Sequence, residues 1–216
     1  MLGILIGLAG IGCTLLISEI LRTTKSVSPE FSRKFVHIIT GTFIAFWPFI
    51  MPFWAIQLLS LLLLAVVVAS MKLHIFKSIH GVPRHTYGEI LFPIGIFIAA
   101  SFAKSDWIYT AAVLHLSLAD GFAALIGIKH IKRHGYKIFG QTKTLIGTLV
   151  FYIISLGITA LVVGFDSAEY GTAAMAILVW LPIGATIVEN IAVYGSDNLL
   201  VPLLVIGVLN SLRIVA

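Results

Sequence analysis

Apolar runs near the length of a bilayer-crossing helix fill almost the whole chain. They fall at about 2–21, 36–51, 53–71, 89–103, 107–128, 145–164, 172–191 and 199–215. A crossing helix needs roughly 20 mostly apolar residues, and the second and fourth runs are the short ones. The chain is 59% hydrophobic and 11% charged, whereas a soluble domain is about one-quarter charged. The surplus apolar surface must face lipid. The pattern predicts an all-α, polytopic integral membrane bundle of about eight transmembrane helices, forming one domain over 1–216. The first run has no basic segment before it and no small-residue cleavage site, so it is expected to stay as a helix and not to leave as a signal peptide. Pro48 and Pro52 in WPFIMPFW mark a tight hairpin, with Trp47 and Trp54 suited to the interface. The single Cys13 lies in an apolar run, which leaves no disulfide framework and no cysteine metal site.

Charge sets the topology. Net charge is +5, but the basic residues sit in short loops between apolar runs. That arrangement speaks for membrane orientation and anionic ligands and against nucleic acid. When the loops are numbered alternately, Arg22, Lys25, Arg33, Lys34, Lys72, Lys77, Arg84, Lys129, Lys132, Arg133, Lys137 and Lys143 share one side. Only Lys104 and Arg213 of the 14 Lys and Arg fall on the other. The positive-inside rule then expects both termini outside and the basic loops in the cytoplasm. Asp106, Asp166 and Glu169 fall outside; Glu19, Glu30, Glu89, Asp120, Glu189 and Asp197 fall in the cytoplasmic half.

Carboxylates inside apolar runs need a partner, a metal or a water-filled cavity. Asp120 is nine residues before Lys129, roughly 13 Å along a helix. Ser117, Asp120, Ala124 and Gly127 share its face. Asp120 reads either as a structural carboxylate or as a ligand for a divalent cation. The loop KHIKRHGYKIFGQTKTLIGT, 129–148, offers cations, glycine amides and a helix start, the makings of a phosphate site. Lys143, Thr144 and Gly147 stand where the sixth helix begins, and Thr142 or Thr144 can cap it. Lys129, Lys132, Arg133 and Lys137 read as topology signals. In ENIAVYGSDNLLVP, 189–202, Glu189 ends one helix and Asp197 with Asn198 opens the next, either as a site or as ordinary punctuation with Asp197 as an N-cap. Arg33 and His37 share a face at the start of the second helix. Arg84 and Glu89 straddle a membrane entry in RHTYGEILFP, 84–93. All five clusters fall on the cytoplasmic side, which suggests one electropositive site with several carboxylates. Such a site suits a magnesium–nucleotide complex acting on a lipid head group.

The segments RKFVH at 33–37, GEILFP at 88–93, ADGFAALIG at 119–127, KTLIGT at 143–148 and DNLLVP at 197–202 resemble the motifs of the polyprenol kinase family. That family includes dolichol, phytol and CTP-dependent diacylglycerol kinases and is related to the CDP-diacylglycerol synthases. The resemblance implies a membrane enzyme that transfers the terminal phosphate of a nucleoside triphosphate, commonly CTP, to a lipid alcohol with Mg²⁺. By position, Asp120 matches the motif aspartate, Lys143 the lysine of the Lys-Ser/Thr-Leu-x-Gly-Ser/Thr segment, and Asp197 and Asn198 the late Asp-Asn. Arg33, His37 and Glu89 match the earlier motifs. The chain departs from the pattern at IKHIKRHG and at Ile146, often acidic in relatives.

The expected mechanism puts Mg²⁺ on Asp120 and Asp197. Lys143, Arg33, His37, Thr144, Gly147 and Asn198 would hold the nucleotide, and Glu89 or Glu189 would orient or deprotonate the hydroxyl. The alcohol is expected to be an isoprenoid such as polyprenol, dolichol or phytol. It is expected to enter laterally past the fourth helix, where Pro93 and Gly95 form a gate wall. A homodimer is compatible with all of this. The rival readings are a cytidylyltransferase making a CDP-activated lipid and an ion-coupled transporter with Asp120 and Glu189 as a relay.

Overall fold

The structure, a computed structural model, describes residues 1–23, 28–73, 86–166 and 169–214. Lys25, Lys77 and Arg84 of the charge count lie outside these. Among the described residues the long helices are α1 (Leu2–Thr23), α2 (Pro29–Ala45), α3 (Phe53–Leu73) and α4 (Gly88–Phe102). They continue with α5 (Asp106–Ile128), α6 (Leu145–Phe165), α7 (Ala174–Ile191) and α8 (Asp197–Leu212). The protein is a helical membrane bundle. By length and composition, four spans suffice to cross a bilayer: α3, α5, α6 and the stretch Gly171–Ile191 that contains α7. Apolar stretches of α1, α4 and α8 are shorter.

The helices place loops at two ends. At one end, Gly3 packs against the Ile50 carbonyl and the Met51 side chain. Trp107 there contacts Phe49 and stacks on Phe165, with ring centroids 5.0 and 4.6 Å apart. Arg213 pairs with Glu169 at 2.9 Å, and Lys104 N–H donates to Asn210. Both sparse basic residues therefore share an end with both chain-terminal helix ends. At the other end stand Glu30, Arg33, Lys34, Gly88, Lys143, Glu189 and Asp197. This is the sorting that alternate loop counting expects.

Two expectations need correction. The second helix begins at Pro29 and not near 36. Ser28 Oγ accepts from Phe31 N–H at 3.3 Å, and proline is pre-organised at the first helical position. Apolar scoring missed these first turns because Arg33 and Lys34 point into a protein cavity and not at lipid. Trp47 is no interface anchor. The 3₁₀ turn Trp47–Phe49 folds it inward, 1% exposed, edge-on to Phe43 and beside Gly7. Trp54 is 60% exposed, as an interface residue should be.

Candidate active site

Helices α2 and α5 run antiparallel, and small residues let them touch. Gly41 faces Ser117, and Gly121 faces Ile38. The Thr110 hydroxyl donates to the Ala45 carbonyl at 2.9 Å, fixing the register. That closeness sets Lys34 Nζ 2.5 Å from Asp120 Oδ2. His37 Nε2–H donates to the Leu116 carbonyl at 2.8 Å and lies 3.2 Å from the same Asp120 oxygen. A π turn, His115–Ala119, ends immediately before Asp120. The extra residue in such a turn rotates everything after it, and π turns cluster at functional sites. His115 anchors this turn: its Nδ1 bonds the Ala111 carbonyl and its Nε2 the Ser155 hydroxyl, both at 2.8 Å. Lys34 and Asp120 are both buried. An isolated charge there costs several kcal/mol, so each needs the other.

The segment after α5 is not a plain loop. One helical turn, Ile131–His134, leads into a hairpin of β1 (Gly135–Ile138) and β2 (Gln141–Thr144). Phe139 and Gly140 turn it with φ of 46° and 80°, the left-handed pair a two-residue hairpin needs. Tyr136 pairs with Lys143 across the strands, so both side chains leave the same face. They reach neighbouring residues at the end of α7. Lys143 Nζ bonds the Glu189 carboxylate and donates to its carbonyl at 2.8 Å, while Tyr136 OH donates to Asn190. Thr148 Oγ1 closes the network to Asn190 at 3.0 Å. Burial favours a neutral Lys143, but the charges of Glu189 and Asp197 outweigh it and hold its ammonium above the ordinary lysine range. Lys129, Lys132, Arg133 and Lys137 are exposed and build no part of the cavity.

The turn before α8 brings in the last carboxylate. Gly195, at φ 89°, packs on the Gly88 backbone, where a Cβ would collide. Asn198 Nδ2 donates to the Gly88 carbonyl at 3.1 Å. Its buried Oδ1 has no hydrogen-bond partner among the described residues. Asp197 is the first residue of α8 and not its cap; its Oδ1 accepts from Asn198 N–H at 3.1 Å.

These elements enclose a cavity of about 550 Å³. The carboxylate oxygens of Asp120, Glu189 and Asp197 lie within 4.8 Å of one another. Against Lys34 and Lys143 they leave one net negative charge. Three oxygen donors so placed fit a hard divalent cation. The first turns of α4, α6 and α8 all border the cavity, each adding positive dipole.

Of the residues singled out by sequence, Arg33, Asp120, Lys143, Thr144, Gly147, Glu189, Asp197 and Asn198 line this cavity. Arg33 is held by Glu30, at 2.7 and 3.2 Å. The Thr144 hydroxyl caps α6 by accepting from Gly147 N–H at 3.0 Å. Gly147 also gives α5 and α6 their close approach, since a Cβ there would sit 2.9 Å from Thr144 Oγ1 and 3.0 Å from the Ala123 carbonyl. Thr144 and Gly147, expected to hold nucleotide, both border the cavity, and the Thr144 hydroxyl that accepts from Gly147 keeps its own proton to donate. His37 and Glu89 do not border the large cavity. They line a smaller groove behind it. Gly95, expected in a gate wall, is buried where α4 packs on the Asn198 carbonyl. The sequence reading also missed residues. Lys34 went unnominated although it stands i, i+3 from His37 and so shares its face. Tyr136 and Asn190 carried no signal without the hairpin.

A phytol kinase of Synechocystis sp. is 32% identical over 211 residues, covering 94% of this chain and 88% of that protein. No family model and no solved structure matches. With that identity along nearly the whole length, and with all five motifs bordering one cavity, the chain belongs to the polyprenol kinase family of alcohol phosphotransferases.

Proposed function

We propose that this chain crosses the bilayer eight times and transfers the terminal phosphate of CTP to an isoprenoid lipid alcohol at the cytoplasmic face. One observation carries the reading: three buried or half-buried carboxylates, Asp120, Glu189 and Asp197, stand within 4.8 Å of one another beside two lysines. The name of the similar phytol kinase supports a prenyl alcohol as acceptor. The charge sorting of the loops supports the cytoplasmic side.

Asp120, Asp197 and Glu189 would hold Mg²⁺, which spreads the charge of the phosphates when bound. Lys143 and Lys34 balance the carboxylates and turn toward the phosphates, with Arg33 at the rim. Asn198, whose Oδ1 has no hydrogen-bond partner among the described residues, borders the cavity where the nucleotide or its hydration shell would sit. Glu189 is held by Lys143 and belongs to the carboxylate trio, which leaves Glu89 to orient the hydroxyl and take its proton. The alcohol oxygen bonds the terminal phosphorus, the bond to the bridging oxygen breaks, and the nucleoside diphosphate leaves. Such transfer needs positioning and charge stabilisation more than covalent help.

The test is product analysis with purified protein, a terminally labelled CTP or ATP and a panel of lipid alcohols. Label in the alcohol phosphate, with a nucleoside diphosphate released, supports the kinase. Release of pyrophosphate with a CDP-linked lipid means a cytidylyltransferase instead.

A further inference from the structure

The smaller groove behind the carboxylates has the right chemistry for one end of a lipid alcohol. It lies between α1, α2, α3 and α4 and holds about 60 Å³. Most of its wall is apolar: Leu15, Val36, Leu63, Val67 and Phe92. Glu89 and His37 supply polar groups. Thr40 also lines it, and its buried hydroxyl has no hydrogen-bond partner among the described residues. The groove adjoins the large cavity: Arg33 and Gly88 border both. His37 links the groove to the carboxylates: its ring centroid lies 4.6 Å from that of Phe92, and its Nε2 lies 3.2 Å from Asp120 Oδ2. On α1 and α3, two of the helices that flank the groove, Leu16, Leu62 and Val66 are exposed apolar residues, so these helices also present apolar surface to lipid.

We propose that this groove is the acceptor subsite, holding the first carbons of a long-chain isoprenoid alcohol with its hydroxyl between Glu89 and His37. The inference rests on the kinase reading above. A slot this small grips only the start of the chain, and the remaining tail stays in the bilayer. The alcohol then enters laterally between α1 and α3, not past Gly95. An apolar wall with a few convergent polar groups at one end is the usual form of such sites.

The experiment uses the full chain in nanodiscs and an isoprenoid alcohol carrying a diazirine in its tail near the hydroxyl. After irradiation, peptides whose labelling excess unlabelled alcohol suppresses are mapped. Competable label at Leu15, Val36, Leu63 or Val67 is expected. Competable label confined to α6, α7 and α8 overturns the proposal. In parallel, Val67→Trp fills the slot and should raise the KM for the alcohol about tenfold, leaving the KM for nucleotide unchanged. A well-folded Val67→Trp protein with an unchanged alcohol KM also overturns it. Competable groove labelling in a protein that phosphorylates no alcohol would uphold the groove and defeat the kinase reading, so the two failures are separable.

Discussion

The Lys34 ammonium and the Asp120 carboxylate meet at 2.5 Å inside the bundle, 86 positions apart in the chain. Both are buried, so each stabilises a charge that would otherwise be stranded. Lys34→Met should lower stability by about 3–5 kcal/mol, the cost of leaving one member of a buried pair alone. Adding Asp120→Asn to Lys34→Met should restore part of that loss. Thermal unfolding of the two single variants and the double variant measures the coupling. Strictly additive losses would mean that the pair does not act as a pair.

Lys143 and Lys132 belong to one basic segment but face different surroundings. Lys143 reaches Glu189, whereas Lys132 is exposed. Lys143→Met should cut kcat/KM by about 10²-fold, the scale of losing one preorganised charge contact. Lys132→Met should leave it near wild type. Equal small effects would mean that the segment serves topology only.

Gly95 tests packing against gating. A methyl group there would overlap the Asn198 carbonyl oxygen. Gly95→Ala should therefore destabilise the protein by about 1–3 kcal/mol and slow all alcohols alike. Gly157→Ala, with nothing within 4 Å of the new carbon, is the neutral control. Unchanged stability together with a selective defect on long alcohols would revive the gate.

The bundle ends should lie on opposite sides of the membrane. In a Cys13→Ala background, Lys137→Cys and Lys104→Cys, both at exposed positions, should react with impermeant reagents from opposite faces. Labelling from the same face would contradict the topology.

The helices were legible because lipid demands long apolar runs, and runs of that kind are visible one residue at a time. Asp120, Glu189 and Asp197 were legible for a related reason: a carboxylate in or beside an apolar run has to be explained. What stayed hidden depends on partners. The start of α2 was obscured because its polar residues turn inward to a cavity that five other helices complete. The hairpin Gly135–Thr144 is short and polar, and only its docking on Glu189 and Asn190 gives it a reason to form. Trp47 resembled an interface residue until Gly7 of α1 made room to bury it. The pairing of Lys34 with Asp120 needed the register of two helices far apart in sequence.

The most direct measurement is the turnover of Asp120→Asn with nucleoside triphosphate, Mg²⁺ and a long-chain isoprenoid alcohol. Asparagine keeps the shape and removes one charge of the carboxylate trio, and a neutral amide is cheaper to bury than a carboxylate. The account predicts a folded protein whose kcat falls by at least about 10²-fold. A folded Asp120→Asn protein that phosphorylates the alcohol at near wild-type rate would contradict it.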